Sequence, residues 1–152
     1  MLGTERVMTD ELRQTNADTV RRFIDAINDS WNIDVLGELI SEDFLFVIPF
    51  APEWFQVRYE GKENALAFLD TVRELMDPEN LHDLRVNSFA EDPNQIVVQY
   101  KSATRMKKTN LPYCNDYIGR FTVRNGKITY FAEYLDPIRF VIATGGTVAP
   151  PS

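Results

Sequence analysis

The pair Asn125-Gly126 limits what this chain can fold into more than any other feature. It stands between two long runs rich in β-branched and aromatic residues, Tyr113 to Val123 and Lys127 to Leu135. A two-residue type I′ turn needs positive φ at both central positions, and Asn-Gly supplies it at little steric cost. An antiparallel hairpin is therefore expected here. Taken as a two-residue loop, the turn also sets a register: Arg124 opposite Lys127, Val123 opposite Ile128, Phe121 opposite Tyr130 and Ile118 opposite Glu133. The period of two begins earlier, at Leu84, where Leu84, Val86 and Ser88 alternate with Arg85, Asn87 and Phe89. Asp92-Pro93-Asn94 reads as a turn, Ile96 to Met106 as a long strand and Lys107 to Pro112 as a polar connection. Pro137 is expected to end the last strand.

The first half has a different period. Ala17, Val20, Ile24, Ile27 and Trp31 recur at steps of three and four, one face of a helix, with Thr15 and Asp18 resembling a capping box before it. Asn32 or Asp34 can cap a shorter helix burying Val35, Leu36, Leu39 and Ile40. Phe44 to Ile48 reads as a strand buried on both faces and ended by Pro49, and Phe55, Val57 and Tyr59 as a short half-buried strand. A third helix follows Gly61, with Ala65, Phe68, Leu69, Val72, Leu75 and Met76 on one side, stopped by Asp77-Pro78. The expectation is one α+β domain over residues 15–143, three N-terminal helices on a mostly antiparallel sheet. A loose, polar segment 1–14 precedes it and a flexible Gly- and Pro-rich tail 144–152 follows.

Composition removes several function classes. The chain has 152 residues, 44% hydrophobic and 12% aromatic, enough for one core and a lined cavity. Its net charge of −7 repels phosphate backbones and anionic lipids, so neither nucleic acid nor membrane is an expected partner. No apolar run approaches the roughly 20 residues that span a bilayer, the start has no apolar signal core, and a cytoplasmic location is expected. Cys114 is the only cysteine and His82 the only histidine. They suggest no internal disulfide, metal cluster or Cys-His nucleophile, so no cofactor is expected.

In the register above, Asp116, Ile118 and Arg120 share a strand face with Phe131, Glu133 and Leu135 of the neighbouring strand. Glu133 lies between apolar residues, with Arg120 and Asp116 diagonal to it. An apolar surround raises a carboxyl pKa toward neutrality, as a general acid or base needs. The alternative is a Glu133–Arg120 structural ion pair or a solvated strand face. Asp116 is either a second pocket carboxylate or an ordinary strand polar residue. Trp54 and Phe55 are either an apolar lip over a pocket or loop aromatics packed on the core.

Tyr113-Cys-Asn-Asp-Tyr117, Phe121, Gly126-Lys-Ile128 and Glu133-Tyr-Leu-Asp-Pro137, with Tyr59-Glu-Gly61 upstream, resemble the corresponding segments of SnoaL-like proteins, in the nuclear-transport-factor-2-like (NTF2-like) superfamily. The resemblance covers about residues 15 to 142. It implies a cone-shaped, cystatin-like fold with a pocket between a curved sheet and the helices. Isomerases, epoxide hydrolases, dehydratases, polyketide cyclases, phenazine-biosynthesis proteins and non-catalytic binders share that fold. The ketosteroid isomerase base before a Pro falls on Ile48, and that enzyme's helix-1 tyrosine falls on Phe23. The acid in the last strand of limonene-epoxide hydrolase falls on Glu133, while its Arg and Asp fall on Lys101 and Ala103, so its full set is not visible. Phenazine-biosynthesis proteins also hold a Glu at the Glu133 position, and their helix-3 histidine is replaced by Phe68.

The leading expectation is a cofactor-free lyase, isomerase, cyclase or hydrolase acting on a small, mostly apolar ring or polyketide-like molecule. Glu133, Asp116 and Arg120 would be catalytic, and Ile118, Phe131, Leu135, Trp54, Phe55, Phe23 and Ile48 would line the substrate. The alternatives are a non-catalytic small-molecule binder and an assembly subunit. A homodimer through the sheet is expected, because the hairpin register leaves apolar residues on both faces.

Overall fold

The computed structural model describes the backbone of residues 2–152 and the side chains of 3–152. Helix α1 spans Leu2–Asn28, α2 Ile33–Leu39, α3 Lys62–Leu75 and α4 Pro137–Ala143. The strands are β1 Ile40–Val47, β2 Arg58–Glu60, β3 His82–Ser88, β4 Gln95–Lys101, β5 Thr104–Arg105, β6 Pro112–Tyr113, β7 Asp116–Arg124 and β8 Lys127–Leu135. Six of them form one sheet in the order β2-β1-β8-β7-β4-β3, and β5 pairs with β6 alone. Every pairing in the large sheet is antiparallel except β1 with β8, which is parallel. The class is thus α+β with a mostly antiparallel sheet, as the change of period predicts.

The helix stripes predicted from sequence pack on one face of this sheet. Val20, Phe23, Ile24 and Ile27 of α1 and Ala65, Leu69 and Val72 of α3 are buried. Phe23 lies edge-on to both Phe121 and Phe131, at 5.7 and 5.5 Å. Deleting such a ring from a close-packed core costs roughly 3–5 kcal/mol. Asn32 caps α2 by accepting from the Val35 amide at 3.2 Å. Asn125 and Gly126 take φ of 51° and 74°, as the turn requires. In β1, Phe44 and Phe46 are buried while Leu45 and Val47 are half-buried, so one face of this strand is less covered than expected.

Several expectations need correction. Residues 2–14 are helical, and Met1 lies outside the described residues. Thr15 is therefore inside α1, where its hydroxyl donates to the Glu11 carbonyl, and it caps nothing. The early part of the helix is tied down at the β3–β4 turn. Arg13 reaches the Ser88 hydroxyl and the Ala90 carbonyl, and Asn16 the Pro93 carbonyl. The long strand from Ile96 breaks at Ser102-Ala103. Pro137 does more than end β8: Asp136 caps α4 by accepting from the Ile138 amide, with Pro137 in the first turn.

The register of the last hairpin also departs from expectation. The turn pairs Arg124 with Lys127 and Val123 with Ile128, but Thr122 then pairs with Tyr130. Thr129 is an extra residue, a β-bulge, and every later pair is displaced by one. Phe121 faces Phe131, Gly119 faces Glu133 and Tyr117 faces Leu135. Because side chains alternate, a slip of one exchanges the face on which β7 meets β8.

Candidate functional site

A cavity lies between the inner face of the sheet and α1, α3 and α4. Its volume is about 60 Å³. This is far below the roughly 300 Å³ of the smaller ligand pockets. Its walls include Ile27, Trp31, Phe46, Phe55, Phe68, Val72, Phe131, Leu135 and Phe140. The residues at its polar end are Glu79, Glu133, Tyr113 and Tyr117.

Glu133 enters this wall because it alternates with Phe131 and Leu135 on the inner face of β8, and the bulge decides what lies opposite it. Across the strand it meets Gly119, which has no side chain. A Cβ at Gly119 would lie 2.9 Å from Phe121 Cε2 and 3.2 Å from Tyr100 Cε1, so the rings close over the gap that glycine leaves. The Tyr100 hydroxyl donates to Glu133 Oε2 at 2.5 Å, within the range of a charge-assisted bond to a carboxylate. Burial raises the Glu133 pKa to about 7, against the Tyr100 hydrogen bond, which lowers it.

Glu79 arrives from the segment after α3. Its backbone is fixed on both sides: the Asp77 amide bonds the Arg105 carbonyl, and the Ala103 amide bonds the Glu79 carbonyl, each at 3.0 Å. Burial, followed by the negative charge of Glu133, raises the Glu79 pKa to about 8. The two carboxyls therefore share an environment in which both are not readily ionised.

A buried polar network stands behind them. Ser102 Oγ and the Tyr117 hydroxyl are 3.2 Å apart, and the Tyr117 hydroxyl donates to the Tyr113 hydroxyl at 3.1 Å. Asn115 Nδ2 also donates to the Tyr113 hydroxyl, at 2.9 Å, and to the Asp136 carbonyl. The Tyr113 oxygen thus accepts two hydrogen bonds, leaving its own proton for another acceptor. Burial raises the pKa of Tyr100, Tyr113 and Tyr117 above the usual phenol value, so all three are neutral donors at working pH.

Of the residues expected at the site, Glu133, Phe131, Leu135, Phe55 and Ile48 line the cavity. The bulge removes three others. Ile118 is exposed on the far face of the sheet. Asp116 is also outside, paired with Arg139 at 2.8 Å, and the Arg120 guanidinium lies 5.7 Å from the Phe89 ring centre. The Glu133–Arg120 ion pair, the alternative to an acid/base role, is not formed. Phe23 is core, fully buried beneath the cavity's floor. Trp54 is 64% exposed and stacks on Phe140 at 5.8 Å, behind the wall and not in it. Sequence reasoning missed Glu79, Tyr100 and the inward placement of Tyr113 and Tyr117. For Tyr100 a signal existed, since Ile96, Val98 and Tyr100 alternate on one face.

Residues 20–131 match the SnoaL-like domain. The chain belongs to this family. SnoaL-like domains lie within the NTF2-like superfamily, whose fold this is. The protein of Bacillus subtilis (strain 168) called uncharacterized protein YesE is 29% identical over 117 residues, which are 72% of this chain and 74% of that one. A Bacillus subtilis structure described as that of a proposed isomerase superposes with a TM-score of 0.81 at 23% identity, covering 90% of this SnoaL-like chain and 97% of the other. A phenazine biosynthesis-related protein of Pseudomonas aeruginosa gives 0.79 at 17% identity, covering 95% and 94%. At these identities the structural likenesses fix the fold and leave the reaction open. Among the described residues, no helix is long and apolar enough to cross a membrane.

Proposed function

We propose that this SnoaL-like domain is an enzyme that moves a proton on a small, mostly apolar molecule, with Glu133 as base and Glu79 as acid. The observation carrying the proposal is the carboxyl pair at the polar end of an aromatic cavity, with one member held by Tyr100 at 2.5 Å. That hydrogen bond favours the ionised form of Glu133, whereas the negative charge of Glu133 opposes ionisation of Glu79. Near neutrality the pair then carries one proton, mainly on Glu79. Two carboxyls pushed apart in this way divide acid and base roles. The Tyr113 proton is available to a ligand oxygen or nitrogen. Members of the fold described as isomerases and epoxide hydrolases agree with a proton-transfer role. The small void points to a substrate of no more than one ring. The chemistry calls on no metal or organic cofactor.

The test is exchange of acidic C–H protons in small cyclic ketones in deuterated water, followed by NMR. Glu133→Gln keeps the shape but cannot take a proton, and should lose roughly 10²–10⁴-fold in rate. Asp116→Asn, on the outer face, should exchange like the parent. Parental exchange by Glu133→Gln defeats the assignment. Binding in the cavity without exchange of any ketone would favour a non-catalytic binder.

A further inference from the structure

We propose that the cavity selects a positively charged ligand, a protonated or quaternary amine carried on a small apolar body. This rests on the reading of the cavity as the ligand site, and it is independent of whether a proton is transferred there. Among the described residues two carboxyls line the cavity, and no lysine, arginine or histidine does. Eight of the lining side chains are aromatic, Trp31, Phe46, Phe131 and Phe140 among them. An aromatic face carries negative potential and attracts a desolvated cation, most strongly at tryptophan. A cavity that combines such rings with two carboxyls and no base repels an anion. It gives a neutral ligand little beyond apolar contact.

The groups facing the carboxyl pair are few. Tyr100 on β4, Tyr113 on β6 and Tyr117 on β7 are neutral phenols, and α1, α3 and α4 present only apolar side chains to the cavity. Arg73 of α3 is turned away: it bonds the Trp31 carbonyl at 3.4 Å and pairs with Asp70. Among the described residues no fixed positive charge lines the cavity, so near neutral pH a proton on one carboxyl relieves the repulsion between Glu79 and Glu133. A bound cation takes over that role. As it enters, the protonated carboxyl ionises and its proton leaves to solvent. A neutral ligand releases none.

Calorimetric titration with choline, its uncharged isostere 3,3-dimethylbutan-1-ol and 3,3-dimethylbutanoate tests the proposal, because choline does not change charge with pH. At pH 7, choline should bind at least 10-fold more tightly than the alcohol, and the carboxylate should not bind. Repeating the titration in buffers of different ionisation enthalpy should show proton release on choline binding, falling away above pH 9 where the pair is already ionised. The double variant Glu79→Gln/Glu133→Gln, checked by circular dichroism for a parental fold, should bring choline and the alcohol within about threefold. An alcohol that binds as well as choline overturns the proposal. So does a choline preference that survives undiminished in the double variant, or no binding by any of the three. Loss of cation preference with Glu133-dependent exchange intact would sink the charge assignment alone. Cation preference with exchange independent of Glu133 would sink the proton-transfer reading alone.

Discussion

Replacing Glu79 by Gln should stabilise the fold in alkaline solution and leave it nearly unchanged in acid. The Glu79 pKa is raised from 4.5 to about 8 in the folded protein, so between those values the folded state holds a proton that the unfolded state has lost. Stability then falls as pH rises through that window, and the effect is absent below the unfolded value. At 1.36 kcal/mol per unit, the full shift corresponds to roughly 5 kcal/mol. That is an upper bound, because Glu79 is only half-buried and part of the rise depends on the charge of Glu133. A gain of about 1–3 kcal/mol at pH 9 is expected. For a chain of this size it corresponds to roughly 2–12 °C in melting temperature. Thermal melts followed by circular dichroism at pH 4, 7 and 9 read it directly. The difference between Glu79→Gln and parent should be near zero at pH 4 and grow with pH. A constant difference, or a less stable variant at pH 9, would refute the reasoning.

Gly119→Ala should lower stability by about 1–3 kcal/mol, since its Cβ would meet Phe121, Phe131 and Tyr100 at 2.9–3.2 Å; a parental melting temperature would show that the rings yield freely. Tyr100→Phe removes the hydrogen bond that favours ionised Glu133, and should move any Glu133-dependent pH profile upward by roughly one unit; an unmoved profile would separate Tyr100 from the site. Association through the outer sheet face, where Ile118 is 44% exposed and Tyr134 lies against Phe50, should give a dimer by sedimentation velocity at micromolar concentration. A monomer throughout would count against it.

The fold was legible because its signals are local and repeated. Helix stripes, a switch to period two at Leu84 and the Asn125-Gly126 turn point to one arrangement, and the resemblance carried by the terminal hairpin names it. The site was legible only in part, for one physical reason above the others. A bulge costs one residue and leaves no mark when that residue is a Thr, which suits a strand anyway. Thr129 alone exchanges Asp116, Ile118 and Arg120 for Tyr117, Gly119 and Phe121 beside Glu133. The premise for a two-faced apolar hairpin changes with it, because Tyr117, Phe121, Phe131 and Leu135 gather on the inner face. Glu79 has no periodic neighbour to place it. Its position comes from backbone bonds to Ala103 and from Asp77 to Arg105, contacts between segments far apart in the chain. Helix α4 had a readable start in Asp136-Pro137, and through it Phe140 closes the cavity.

Two carboxyls that resist ionising together form the centre of the site, and the most direct measurement is their titration. Carbon-13 NMR of the glutamate side-chain carboxyls, assigned with Glu79→Gln and Glu133→Gln, follows each from pH 3 to 10 without a substrate. Two coupled transitions between about 7 and 8, with the remaining transition moving downward when either partner is replaced, are predicted. Both carboxyls titrating independently near 4.5 would contradict the account.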